Sequence, residues 1–277
     1  MYKILLIISL IFANIVHAVS LDNAIQQLSQ EVSGTVVTPA TTEELETLFK
    51  NATLKSVPRI FVDRLPEDFA EKGSPELYAK VITALILRSN ERILREKILL
   101  AALKRKFEKE DTWSEQENAF YNSLVEKYDV SIAKTKATQL EQLALKIDEI
   151  TPGLALLQSV YTTNWGKTNM QAPYAQRGWN ENQKYAPIKY DSLIKATESY
   201  VDEMNSEPSY WPWREYRRRA VHRRASENLP YLLAGKLMAY YLEDPDYTRT
   251  LQQIFTDNPF IKKLFNATFS DEKGGQR

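Results

Sequence analysis

The run from Glu76 to Glu108 constrains this chain most. Tyr78, Val81, Leu85, Ile93, Leu99 and Leu103 recur in it at helical spacing through a stretch of strong helix formers. One helix or two, it presents an apolar stripe that must be covered, and much of the remaining chain also reads as helix. Thr112-Trp-Ser-Glu-Gln-Glu117 is a capped start, with Ser114 three residues before Glu117 as in a capping box. The helix that follows, to about Tyr128, packs Phe120, Leu124 and Val125. Thr138 to Ile147 reads as another, and Tyr190 to Asn205, Trp213 to Arg224, Asn228 to Leu242 and Asp246 to Phe255 as four more. Tyr174 to Lys189, rich in Asn, Gln, Gly, Pro and aromatics, has no helical period and predicts a loop or small β element. The class is all-α with a small irregular or β lobe.

The chain opens Met-Tyr-Lys, is apolar from Ile4 to Val16, and continues His17-Ala18. A short basic start, an apolar core and small residues before the break fit a secretory signal peptide over residues 1–18. The apolar run is shorter than the roughly 20 residues that span a bilayer. An exported, periplasmic chain is expected, with no transmembrane segment after leader removal. With Cys 0 it forgoes disulfides and thiol chemistry and must be held by its core. Loss of His17 leaves His222 alone, too few ligands for a zinc site of the usual kind, and no cofactor is expected. Balanced charge, 36 Lys+Arg against 36 Asp+Glu, argues against nucleic acid as a partner. The six arginines from Arg214 to Arg224 read as a solvated helix face or as a contact for anionic envelope polymers.

Residues 19–56 are polar, with clusters such as Ser33-Gly-Thr-Val-Val-Thr-Pro39, and read as a leader or linker with room for a short helix near Glu43 to Lys50. Val57 to Pro66, bounded by prolines, looks like an extended entry to the folded region. Residues 57–146 then form a helical N-terminal part, residues 147–265 the part that carries the site, and residues 266–277 a disordered tail.

The site is expected at the end of the stretch Ile147 to Gly166. Thr151-Pro152 is a helix start, a capping hydroxyl followed by proline at the first helical position. Leu154, Ala155, Leu157, Val160 and Tyr161 give an apolar face, and Asn164 and Gly166 are stop signals. This stretch resembles the catalytic helix of the Bax and FlgJ-like peptidoglycan glucosaminidases, lysozyme-like hydrolases in which such a helix ends Glu-Ser-Gly-Trp-Gly. Here the motif reads Thr162-Thr163-Asn164-Trp165-Gly166, so Thr162 occupies the position of the catalytic glutamate. Tyr190-Asp-Ser-Leu with Pro208-Ser-Tyr210 is similar to the family's aromatic-Ser-Ser helix and Pro-x-Tyr. Tyr241-Leu-Glu-Asp-Pro-Asp-Tyr247 is similar to its Tyr-Ala-Thr-Asp-Pro-x-Tyr motif, and Ala79 to Tyr128 resembles the helical N-terminal part of Bax-like proteins. The resemblance spans Val57 to Asn258. It implies a lysozyme-like helical domain, peptidoglycan glycan strands as partner, and sugar contacts from Trp165, Tyr241 and Tyr247, with the loop aromatics Trp179 and Tyr185 next. The family's Asn-x-Phe-Gly segment becomes Gln176-Arg-Gly-Trp179, a departure in the same lobe.

Cleaving a glycosidic bond needs a proton for the leaving oxygen, normally from a carboxylic acid of raised pKa, and support for the developing cation. Threonine cannot donate that proton near neutral pH. No Asp or Glu lies between Glu149 and Glu181, so sliding the motif by a turn restores no acid. Asp148 and Glu149 read as support for the helix N-terminus. Glu181 is the best surrogate carboxylate, against the plainer reading of a solvated loop residue. If general acid catalysis contributes about 100- to 10,000-fold, its loss costs roughly 3 to 5 kcal/mol of transition-state stabilisation. The leading expectation is an exported glucosaminidase-like protein that binds glycan with impaired or no hydrolysis. The alternatives are an active β-N-acetylglucosaminidase using Glu181, and an interaction module that binds another envelope protein.

Overall fold

The computed structural model describes residues 21–28, 32–179, 185–222, 227–237 and 244–270. These residues are mostly helical, with three two-stranded sheets among them. No helix among them is long and apolar enough to cross a membrane. The chain divides into two compact units that interleave in sequence. One comprises Met1–Val32, Asn90–Glu149 and Met204–Pro208, and the other Ser33–Ser89, Ile150–Glu203 and Ser209–Arg277. The Glu76–Glu108 stripe forms one continuous helix, Pro75–Glu108, whose residues through Ser89 belong to the second unit and the rest to the first. The expected succession of a part at 57–146 and a part at 147–265 is therefore not how the chain is divided.

In the first unit the helix Glu115–Lys127 starts with the expected capping box, Ser114 Oγ accepting from the Glu117 N–H at 3.1 Å and Glu117 Oε2 from the Ser114 N–H at 2.9 Å. Ser114 Oγ also donates to Asp22 Oδ1 at 2.6 Å, which ties the helix Leu21–Leu28 to this N-terminus. Glu96 and Lys146 are buried here, as is Glu117, which pairs with Lys106 at 2.7 Å. Glu96 accepts from Lys127 Nζ at 2.6 Å and from the Tyr128 hydroxyl. Lys146 Nζ donates to the carbonyls of Tyr128, Asp129 and Ser206 at 2.5, 3.1 and 2.9 Å. Tyr128 is the C-cap of one helix and Ser206 the last residue of another, Leu193–Ser206, so one ammonium satisfies carbonyls that helix ends leave open. Asp148 pairs with Lys97 at 2.6 Å.

The second unit corrects the linker reading of residues 19–56 over residues 33–56. Thr35–Val37 pairs in parallel with Ile60–Val62, and the helix Thr42–Leu48 buries Leu45 completely, with Phe49 just beyond it. Asp68 Oδ1 accepts from both the N–H and the hydroxyl of Thr42, at 2.9 and 2.8 Å. The Thr42 hydroxyl, with Lys72, holds the Asp68 carboxyl below its usual range. The polar stretch looked like a linker because its few apolar residues find partners far along the chain, not in a local period. The expected tail at 266–277 is corrected in the same way at its start. Thr268–Phe269 pairs with Ser56–Val57, and Phe269 packs edge-on against Phe61 at 6.0 Å. Residues 271–277 lie outside the described residues.

The arginine run is also only partly a solvated face. In the helix Trp211–His222, Arg218 and Arg219 are exposed and pair with Glu215 at 3.0 and 3.5 Å. Arg214 and Arg217 are buried, the latter stacked 4.4 Å from the Trp213 ring centroid. Arg223 and Arg224 lie outside the described residues, as does the side chain of His222.

Candidate functional site

The helix Pro152–Thr163 runs where the Thr-Pro start and the Asn-Trp-Gly stop place it. Proline at its first position costs no hydrogen bond and fixes φ in the helical range. Thr151 is the N-cap residue but its side chain makes no capping bond. Every residue from Pro152 to Val160 is buried, against the helices Leu229–Ala234 and Tyr247–Asp257 and the 3-10 segment Pro259–Asn266. Gly153 permits this approach, since a Cβ there would lie 2.7 Å from Pro230 Cγ.

Three polar residues inside this buried helix, Gln158, Ser159 and Thr163, are bonded to tyrosines. Gln158, 1% exposed, accepts from the Tyr200 hydroxyl at 2.6 Å and donates Nε2 to the Tyr247 hydroxyl at 3.0 Å. Ser159 Oγ lies 2.5 Å from the Tyr78 hydroxyl, which is also 3.0 Å from Thr163 Oγ1. Burial pushes the Tyr78 hydroxyl up to about 12, against the opposing effect of Ser159 and Thr163. Thr163 Oγ1 donates to the Ser159 carbonyl at 2.7 Å and accepts from the Gly166 N–H at 3.0 Å. One hydroxyl therefore joins the last helical turn to the turn that leaves it.

That exit turn is left-handed at three successive residues, with φ of 47° at Asn164, 63° at Trp165 and 79° at Gly166. Glycine is required at the third. A Cβ on Gly166 would meet the Tyr78 ring at 2.7 Å and the Phe69 ring at 2.9 Å. The turn sends Trp165 against Phe260, ring centroids 5.7 Å apart, and leaves it half-buried.

Thr162 faces the other way. It is half-buried, its hydroxyl donates back to the Gln158 carbonyl at 3.1 Å, and its own carbonyl accepts from Asn169 Nδ2 at 3.2 Å. It borders a cleft of about 510 Å³ that Asn169, Gln171, Ala175, Pro187 and Lys189 also line. Neither a carboxylate nor an aromatic ring lines this cleft among the described residues. A second cleft of about 470 Å³ shares Asn169, Met170 and Gln171 as a wall and extends to Asp63 and Tyr190. The expected small β lobe is the hairpin Arg177–Trp179 with Tyr185–Pro187, antiparallel, Trp179 opposite Tyr185.

Among the residues named from sequence, Thr162 and Trp165 follow one another at this helix end, Thr162 on the cleft and Trp165 against Phe260. Tyr247 does not face the cleft. It is 3% exposed, its hydroxyl is bonded to Gln158, and its ring packs edge-on against Tyr161 at 4.8 Å. Its place in the core follows from the amide it holds. Glu181 and Tyr241 lie outside the described residues, as do the side chains of Trp179 and Tyr185. Other aromatics that could have lined a groove are core as well: Tyr174 is stacked 4.2 Å from Tyr200, and Tyr210 and Trp213 are buried.

The sequence reading missed Gln158 and Asp244. A lone amide in the apolar run Leu154–Val160 is the signal that could have marked the first. Asp244 accepts a hydrogen bond from the Tyr161 hydroxyl, and from the Asp246 N–H at 2.9 Å. The Tyr161 bond comes first among the causes that lower the Asp244 carboxyl. Burial, then the same partner, pushes Tyr161 up to about 12. The Asp-Pro-Asp-Tyr motif thus fixes the site helix through both Tyr161 and Gln158. Comparison with protein-family models, with curated proteins and with solved structures gives no match.

Proposed function

We propose that this chain is an exported, lysozyme-like protein of the Bax and FlgJ-like glucosaminidase type that binds peptidoglycan glycan without efficient hydrolysis. The observation that carries the reading is the cleft beside Thr162. It stands at the end of a helix with the family's Thr-Pro start and Trp-Gly stop, and no carboxylate lines it among the described residues. An aliphatic hydroxyl is too weak an acid to protonate a leaving oxygen near neutral pH, and that of Thr162 donates back to the Gln158 carbonyl. Neutral donors and acceptors on Asn169 and Gln171 suit hydroxyl and acetamido groups of a sugar. Binding needs only those contacts, whereas hydrolysis needs a proton donor placed on the leaving oxygen.

The test is co-sedimentation or calorimetry of the chain from Val19 with glycan strands stripped of peptide, beside Thr162→Arg, which fills the cleft. Binding that falls about tenfold or more in the variant is expected, the equivalent of about 1.4 kcal/mol. Binding that the arginine leaves unchanged would remove the cleft from the function.

A further inference from the structure

The second cleft differs from the first in charge. Its lining brings together Asp63, Glu67 and Asp191 with Arg64 and Lys167. Asp63 Oδ1 accepts from the Ser192 hydroxyl, which fixes the carboxylate, and no partner is bonded to its other oxygen among the described residues. Arg64 Nε donates to the Asp191 carbonyl at 2.7 Å, which anchors the guanidinium by one edge and leaves its terminal nitrogens for another partner. Glu67 and Lys167 are exposed and form no ion pair among the described residues. Only Asp191 has a counter-charge, Lys195 at 3.8 Å. Opposite charges that share a cleft of about 470 Å³ without pairing one another remain available to a ligand that carries both signs.

The wall Asn169-Met170-Gln171 separates this cleft from the one beside Thr162, whose lining carries no acid and a single cation, Lys189, among the described residues. That wall is fixed at its base: Asn169 holds the Thr162 carbonyl, and the Gln171 carbonyl accepts from the Tyr190 N–H at 2.6 Å. A ligand crossing it passes from amide and hydroxyl contacts beside Lys189 into an end that carries both signs of charge. We propose that the Asp63 cleft is a binding site for a short peptide that presents a free ammonium to Asp63 and Glu67 and a carboxylate to Arg64 and Lys167. This rests on the glycan reading of the Thr162 cleft only for the sugar to which the peptide is attached. The same chemistry is carried by a peptide side chain on a glycan strand and by the free peptide, and their affinities separate the two sources.

Three probes are titrated into the chain from Val19: a disaccharide bearing its peptide, the same disaccharide after enzymatic removal of the peptide, and the peptide alone. The peptide-bearing disaccharide is expected to bind roughly tenfold tighter than the stripped one, a gain that shrinks as salt is raised. Asp63→Asn and Lys167→Gln should each erase most of that gain without changing affinity for the stripped disaccharide. Lys167 is exposed and its side chain holds nothing in the fold, so its variant tests the site even if loss of the Ser192 contact destabilises the Asp63 variant. Stripped and peptide-bearing disaccharides binding equally, or a gain indifferent to both substitutions, would overturn the peptide site and leave the glycan reading standing. Tight binding of peptide alone with none of the stripped disaccharide would support the site while overturning the glycan reading. No binding by any probe would overturn both.

Discussion

Thr162 and Thr163 are consecutive residues of one helical turn in opposite surroundings. Thr163 is buried, and its hydroxyl joins the Ser159 carbonyl, the Tyr78 hydroxyl and the Gly166 N–H. Thr162 borders a cleft, and its hydroxyl only returns to the helix behind it. The core side of the turn is over-determined, so substitution there disturbs the fold. The cleft side carries no structural duty beyond one weak back-bond and is free to vary in chemistry. The Trp165-Gly166 geometry therefore does not depend on which side chain stands at 162.

Breaking the core side should have the largest effect. Gly166→Val sets a branched side chain at φ 79° with its Cβ 2.7 Å from the Tyr78 ring. A loss of about 2 to 4 kcal/mol is expected in denaturant unfolding. A stability close to the parent's would mean that the exit turn is not held as described. Gln158→Leu keeps the volume of the helix face but removes the acceptor for Tyr200 and the donor to Tyr247. About 1 to 3 kcal/mol should be lost, read from the same unfolding curves. A neutral result would show that the two tyrosines do not depend on the amide.

A smaller effect appears with pH. The folded values of Tyr78 and Tyr161 are raised from 10.0 to about 12. A raised value means that the neutral phenol is favoured by folding. The contribution is complete below pH 10 and is lost as pH rises from there through about 12. Stability should decline across that window, and Tyr78→Phe should flatten part of the decline. Asp244 gives the opposite limb: its lowered folded value stabilises above the usual carboxylate range and is lost as pH falls through the folded value. Thr162→Ala should do least, within about 0.5 kcal/mol of the parent, because it removes only a back-bond on an open face. A large loss there would erase the contrast between the two threonines.

Much of this arrangement is legible along the chain where its cause is local. The site helix starts and stops at Thr151-Pro152 and Asn164-Trp-Gly166 because proline and the left-handed residues act on their own backbone. The capping box at Ser114 is read for the same reason. What could not be read depends on partners distant in sequence. Tyr78 meets Ser159 across 81 positions, and Tyr247 meets Gln158 across 89. An aromatic motif residue such as Tyr247 looks the same in sequence whether it faces a sugar or a buried amide. The strand Thr35–Val37 passed as linker because its register with Ile60–Val62 leaves no period in either segment alone. Arg214 looked solvated because charge in a run suggests water, until packing closed over it.

The most direct measurement of the central claim is release of soluble fragments from purified sacculi by the chain from Val19, beside Thr162→Glu. The expected result is adsorption to the sacculi with no fragments released by the parent. Release by the parent protein, lost on Glu181→Gln, would contradict it and make the chain an active hydrolase with its acid outside the Thr162 cleft.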